Sequence, residues 1–516
     1  MGKRLRRVAL LLLLLLGLWW LWQHRMGQPE DFGPMEDQYK YGSIGADHPL
    51  AAAPLPYWVW KVLPEVFPPA TTIPKGLGPR NGLKGYDAFG MLSEKQMPDT
   101  FPPRAKGEPT FERPMGFSRR RVFGIDLLGM NCASCHAGTV RVAEGAAPMV
   151  LLGGAGQTID IEQYFMYVFN AVGSKDFTAE RLMPAIDREL QRQGAELGWV
   201  QRLLYRWVLI PLLPHIAGAL EREKFDFLVP EVLTRKREFG PGRVDTWALY
   251  KRVFVHPPDH RPANGTVDFP PIWNQKAREG MRLHWDGNVE KLTERNVISA
   301  LGLIGANVGY LDYARLTRVT EWITGLLPPR LEDHLPNGAP PLDQALIDKG
   351  AVLFGKHCAG CHAAGGLRTG RVEPIDDLGT DRERLKAFTP ELAASLNRLQ
   401  TDQWQLRDFR VQNGYVNNLL DGIWLRAPYL HNGSVPTLWD LLQPPDKRPV
   451  RFCRGGDLYD FARMGFVSTL SNQGDGCPTG YLMDTTVIGH GNGGHLYGTD
   501  LPTDDKRALV EFLKVQ

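Results

Sequence analysis

The 516-residue chain has almost no excess of either charge: 60 Lys and Arg stand against 57 Asp and Glu, a net of +3. No long single-sign block follows the N-terminus, so the electrostatic footprint of a nucleic-acid partner is missing, and a small molecule or a redox protein suits the chain better. Internal repeats and low-complexity tracts are also missing. The one glycine cluster, Gly153-Gly154-Ala155-Gly156, lacks the strand-to-helix setting and later acidic residue of a dinucleotide site. Cysteine is scarce, with six residues at 132, 135, 358, 361, 453 and 477. Glycine (55), proline (40) and tryptophan (14) are abundant, which points to long ordered loops packed around something bulky and away from one regular sheet.

A chain of this length exceeds one ordinary core, so two packed domains are expected. Lys3, Arg4, Arg6 and Arg7 precede an unbroken apolar run at residues 8–22, the layout of an export signal. No small-x-small cleavage site follows Trp22, and Trp19, Trp20 and Trp22 suit an interfacial belt. Residues 1–27 therefore read as a signal or an inner-membrane anchor. Either way the bulk of the chain is placed on the periplasmic side of a bacterial inner membrane, or is exported if the segment is cleaved.

Four of the cysteines fall in two identical patterns, Cys132-Ala133-Ser134-Cys135-His136 and Cys358-Ala359-Gly360-Cys361-His362. Each offers two thiols to the vinyl groups of a porphyrin and an adjacent imidazole to its iron. Two chance occurrences from six Cys and 13 His are negligible. A zinc site or a thioredoxin-like pair fits less well, because each Cys pair is followed by His in an exported chain. Two covalently bound haem c groups are expected, with His136 and His362 as iron ligands. Cys453 and Cys477 remain free to form a disulfide.

A haem closed on both faces passes electrons, whereas one with an open face binds oxygen or peroxide. After His136 the next histidine is His215, which favours an open first iron, although a distant side chain could reach it. For the second iron His431, His490 and His495 are candidates, while His357 abuts Cys358 too closely. Arg119, Arg120 and Arg121 could meet propionates, or form a solvated face.

Residues 28–118 read as irregular chain, helices are expected at about 161–169 and 181–220, and prolines 328, 329, 336, 340 and 341 mark a linker. A helical stripe from Leu342 runs into Cys358, and a closing helix has Thr503 as its candidate N-cap. The expected fold is mainly α, with an N-terminal hydrophobic helix and two cytochrome c-like haem domains broken by long irregular loops. Its boundaries are 28–327, a linker at 328–341, and 342–516.

The run Leu420-Asp421-Gly422-Ile423-Trp424-Leu425-Arg426-Ala427-Pro428-Tyr429-Leu430-His431-Asn432-Gly433-Ser434-Val435-Pro436-Thr437-Leu438 resembles the signature loop of the di-haem cytochrome c peroxidase superfamily. His284-Trp285-Asp286-Gly287-Asn288 resembles its Phe-Trp-Asp-Gly-Arg segment. Closer still is the likeness to the RoxA-like, rubber oxygenase-like di-haem cytochromes. It rests on Tyr41-Gly42-Ser43-Ile44-Gly45, Pro56-Tyr57-Trp58-Val59-Trp60-Lys61-Val62-Leu63-Pro64, Phe269-Pro270-Pro271-Ile272-Trp273-Asn274-Gln275 and Gly494-His495-Leu496-Tyr497-Gly498-Thr499. The resemblance implies that Trp285 lies between the haems as an electron route and that His495 is the second ligand of the second iron. It leaves His431 as a loop residue and His284 as a pocket residue.

Two departures from the peroxidase pattern stand out. No carboxylate lies between Glu294 and Asp312, where that superfamily keeps an acid, and residues 443–456 hold neither Met nor His. The sequence thus supports an oxidoreductase that activates oxygen or peroxide at the first haem, with Trp285 and His136 as its working residues and the second haem as relay. The competing reading is a non-enzymatic carrier with both irons six-coordinate.

Overall fold

The computed structural model describes residues 29–46, 55–73, 83–97, 101, 111–122, 124–227, 239–262, 264–303, 308–335, 341–470, 477 and 481–516. The signal or anchor at 1–27 and part of the proline-rich segment, 336–340, lie outside them. Among the described residues the architecture is mixed, not simply helical: helices predominate, and six two-stranded antiparallel sheets stitch the loops between them.

The stretch expected to be irregular contains, among its described residues, the helices Met35–Tyr41 and Tyr57–Val66, the single turn Pro69–Thr72 and two short 3-10 turns. Pro56 immediately precedes the second, where its missing N–H costs nothing, and Pro64 falls in its last turn. The prolines that suggested loop therefore bracket a helix. Tyr57, Trp58 and Trp60 on it are buried, with the indole N–H of Trp60 donating to the Tyr164 hydroxyl (3.1 Å) and that of Trp58 to Asp126 (3.1 Å). This aromatic core also takes in helices Ile161–Val172 and Ala179–Arg192 and the inner face of the long helix Trp199–Glu223, close to the helical boundaries expected for 161–169 and 181–220.

The first Cys-x-x-Cys-His motif does not follow a helix. It leaves a hairpin formed by β1 (Phe117–Val122) and β2 (Ile125–Met130), paired from Phe117 opposite Met130 to Val122 opposite Ile125. The second motif sits as expected. Helix Gln344–His357, capped by the Asp343 carboxylate on the Leu346 N–H (3.1 Å), runs straight into Cys358 and crosses the closing helix Thr503–Leu513. That closing helix begins at Thr503 itself, with Pro502 in the cap position. The crossing is tight at Gly350, where a Cβ would stand 2.1 Å from the Ala508 carbonyl oxygen, and Phe354 packs on Phe512 with ring centres 5.1 Å apart.

The two halves of the chain are tied by buried charge. Arg454, beside the Cys453–Cys477 disulfide, pairs with Asp268 (2.5 Å) and donates to the carbonyls of Pro241 (3.0 Å) and Gly433 (2.7 Å).

The helix crossing makes a paired prediction. Gly350→Ala is expected to cost about 1–3 kcal/mol through overpacking. Gly355→Ala, five residues on at an exposed helical position with nothing within 4 Å, is expected to stabilise by about 0.4–1 kcal/mol. Thermal unfolding of the two variants should move in opposite directions.

Candidate haem centres

The first motif is held by its neighbours before any ligand is considered. Asn131, fully buried, accepts from the Ala133 N–H (3.0 Å) and donates to the carbonyls of Lys40 (3.3 Å) and Gly42 (3.1 Å), bending Cys132–Ser134 into a tight turn. Gly116, at φ +90°, permits this turn, since a Cβ there would lie 2.3 Å from the Ser134 backbone. His136 donates from Nδ1 to the Pro270 carbonyl (2.8 Å), which leaves Nε2 as the free lone pair. Burial holds its pKa down at about 4, so the ring is the neutral species that a metal accepts.

The second motif repeats this logic with different parts. His362 donates from Nδ1 to the Asn418 carbonyl (2.7 Å), and burial again lowers its pKa. His495 faces it, with ring centres 6.3 Å apart. Two imidazoles on opposite faces of one iron, each nitrogen at about 2.0 Å, place their ring centres roughly 6 Å apart. His495 Nδ1 is buried with no hydrogen-bond partner, an orphaned polar atom on this very ring.

The His495 loop is strained and braced. His495 itself has φ +50°, and Gly494 before it has φ +71° with room for no side chain, a Cβ falling 2.4 Å from the backbone of 378–380. Arg448 clamps the loop through the carbonyls of Asn492 (2.6 Å), Gly494 (2.8 Å) and His495 (3.3 Å). Asn432 and Ser434 hold the Gly491 carbonyl at 3.0 and 2.9 Å.

The other histidine candidates are engaged by protein groups, although His431 also lines the cavity that His362 and His495 border. His431 stacks on Tyr415 (4.0 Å), and its Nε2 meets the Tyr415 hydroxyl at 3.0 Å while that hydroxyl donates to the Asp381 carbonyl. His490 bonds the Asp484 carbonyl and lies outside both cavities.

An apolar cavity of about 240 Å³ adjoins His136 and one of about 300 Å³ adjoins His362 and His495. Protein interiors pack at near-crystalline density, and even engineered voids of about 150 Å³ take up ligands, so cavities of this size are built for large apolar guests. Burial pushes the thiols of Cys132 up to about 11 and Cys135 up to about 12, which disables them as nucleophilic thiolates and argues against a thioredoxin-like pair. Among the described residues no cluster of three or more His, Cys, Asp or Glu side chains forms, as a zinc site would require.

Trp285 lines both cavities and sits in their common wall with His284, Pro270, Ile272, Gln275 and Arg295. Its indole N–H donates to the Asp268 carbonyl (3.1 Å), and Val416 N–H donates to its own carbonyl (2.9 Å). His284, at φ +63°, donates from Nδ1 to Asn288 (2.8 Å), and burial lowers its pKa to about 4.

Sequence reasoning missed the charges. Arg119 and Arg121 pair with Glu30 and Asp126, and the triplet lies outside both linings. The cavities are lined by Arg278, Arg295, Arg384 and Arg426; the last three each keep a buried Nε without a partner, although Arg384 also pairs with Asp286 (3.3 Å) and Arg426 with Asp421 (3.2 Å). Burial pulls Arg295 and Arg426 down to about 10, a cost that an anionic ligand group would relieve. Their spacing along the chain carries no motif, so only the fold assembles them. The carboxylates lining the first cavity are both occupied: Asp245 caps a helix through the N–H groups of Trp247 and Ala248, and Asp268 pairs with Arg454.

Comparison with known proteins agrees with this chemistry. The profile of a family described as RoxA-like, cytochrome c-like matches residues 414–453, so that segment is similar to a RoxA-like, cytochrome c-like domain. Two uncharacterized proteins of Sinorhizobium fredii (strain NBRC 101917 / NGR234) are similar along more of its length. One, y4iM, is 33% identical over 270 residues, covering 46% of this chain and 59% of that protein. The other, y4iJ, is 24% identical over 491 residues, covering 76% and 77%.

Replacing both thiols of one motif, Cys132→Ser with Cys135→Ser or Cys358→Ser with Cys361→Ser, is expected to remove one covalent haem per chain. Haem staining of a denaturing gel and the intact mass read the result, and unchanged haem content in either double variant would count against that motif.

Proposed function

We propose that the chain is a di-haem c-type oxidoreductase on the periplasmic side of a bacterial inner membrane, activating oxygen or peroxide at an open first haem and relaying electrons through a closed second one. The observation that carries this reading is the asymmetry of the cavities. His362 has His495 across from it, whereas no ring contacts His136 among the described residues.

Bound haem supplies the redox chemistry, its reactivity set by whether one or both iron faces are closed. The chain's own residues do the rest. Cys132 and Cys135, and Cys358 and Cys361, tether the two groups, and His136, His362 and His495 present neutral nitrogens to them. Arg295, Arg384 and Arg426 offer positive charge to propionates. Trp285, fixed by its bond to the Asp268 carbonyl, packs in the shared wall, which supports its role as the electron route. The likeness to RoxA-like proteins supports an organic substrate or small oxidant as partner, with a redox protein as electron donor or acceptor.

A pure carrier is favoured by one feature: His284, its Nδ1 anchored on Asn288, also borders the first cavity with Nε2 uncommitted. Cyanide added to the oxidised holoprotein separates the two. Binding at one haem is the expected outcome, and two irons indifferent to cyanide in both redox states would establish the carrier.

His495→Ala is expected to open the second iron and alter its absorption spectrum and potential, while His431→Ala leaves the ligand set intact. The reverse pattern would reassign the ligand. A positioned acid contributes on the order of 10²–10⁴-fold to proton-coupled bond cleavage, and both carboxylates at the first cavity are tied up. Peroxide turnover with reduced cytochrome c should therefore be slow, and rapid turnover would show that another group serves as the acid.

A further inference from the structure

Among the described residues one helix, Trp199–Glu223, is long and apolar enough to cross a bilayer, yet it is part of the folded core. Tyr205 and Ile210 are fully buried and Leu213 nearly so, all three in the aromatic cluster around Trp60 and Tyr164. The opposite side is bare. Trp199 is 75% exposed, Trp207 68%, and Leu203, Val208 and Leu212 nearly half. Spacings of four residues put Trp199, Leu203 and Trp207 on one stripe, and no Asp, Glu, Lys or Arg occurs from Trp207 to Leu220. The two arginines at its margin form exposed surface ion pairs, Arg202 with Asp187 (2.7 Å) and Arg206 with Glu180 (3.4 Å), so they add no net charge beside the stripe.

The position of this stripe identifies what covers it. Pro29, the first described residue, bridges Arg120 on β1, and Glu30 N–H donates to the Arg119 carbonyl (3.2 Å). Gln201, in the first turn of the helix, donates to the carbonyl of Gly124 at the tip of the same hairpin. Arg120 and Gly124 are four residues apart, at most about 13 Å along a strand. The described chain thus begins, at Pro29, beside the hairpin that contacts the start of the exposed helix, and in the sequence only six residues separate Pro29 from the apolar run at residues 8–22, with its four basic residues before it.

We propose that the helix Trp199–Glu223 lies in the plane of a lipid bilayer, its 199–212 stripe at the headgroup–acyl boundary, on the membrane addressed by the N-terminal segment. It lies flat and does not cross, because its other face belongs to the core. Two tryptophans eight residues apart, about 12 Å along the axis, suit that boundary, where an apolar ring body and a polar N–H are both satisfied. The contact is independent of what the haem centres do.

The test uses the full-length holoprotein with a nitroxide on Trp207→Cys or Leu212→Cys, and on Leu367→Cys, an 86% exposed position away from this helix, as reference. On addition of phosphatidylcholine–phosphatidylglycerol vesicles, labels at 207 and 212 should gain collisions with oxygen and lose collisions with an aqueous nickel complex several-fold, while 367 is unchanged. Labels at 207 and 367 that respond alike would overturn the proposal. So would a label at 207 shielded from nickel before vesicles are added, because a second copy of the chain would then be covering the stripe. The unsubstituted protein gives the same answer by hydroxyl-radical footprinting: vesicles should lower oxidation of Trp199 and Trp207 several-fold, and undiminished oxidation overturns the proposal.

Discussion

Both centres depend on one arrangement, a buried imidazole whose Nδ1–H is spent on a backbone carbonyl. Pro270 plays this part for His136 and Asn418 for His362. The bond fixes the tautomer and the rotation of the ring, and burial keeps the ring neutral, so each cavity receives a lone pair in a set direction. Side chains could not replace these acceptors as cheaply. A carbonyl on a braced loop has no rotamer to lose, and it cannot take up a proton as a carboxylate can.

The partner of His362 is arranged in a costlier way. His495 sits at a left-handed backbone position behind a glycine that tolerates no Cβ, and three side chains, Arg448, Asn432 and Ser434, hold the carbonyls of its loop. Strain of this kind persists where surrounding contacts over-determine it. The buried Nδ1 of His495 adds to that cost, and together they mark this ring as placed for what it faces and not for packing.

The parts of this design legible in the sequence were those carried by contiguous residues. The two Cys-x-x-Cys-His motifs announced themselves, the stripe from Leu342 into Cys358 gave its helix, and the Gly494-His495 pair was singled out by resemblance. The helix at Tyr57–Val66 was hidden by prolines that lie at its two ends. The hairpin platform under Cys132 was hidden because three successive arginines in β1 look like solvated surface until Glu30 and Asp126 are brought to two of them. Least legible were Arg295, Arg384 and Arg426, since isolated arginines far apart in sequence meet only through the fold. The helix after Trp199 was legible from its apolar spacing, but which side meets the core was not, because apolar residues occur on both sides and its two tryptophans lie on the exposed one.

The 414–453 segment supplies Asn418, Tyr415, His431, Asn432, Ser434 and Arg448, all of which serve the second centre. The walls distinctive of the first cavity, among them Phe165, Phe225, Phe227, Trp247 and Tyr250, come from outside it. The two cavities therefore draw their distinctive walls from separate stretches of chain. Substitutions among the aromatic residues around His136 can reshape the first cavity while leaving untouched the forty residues that brace the second.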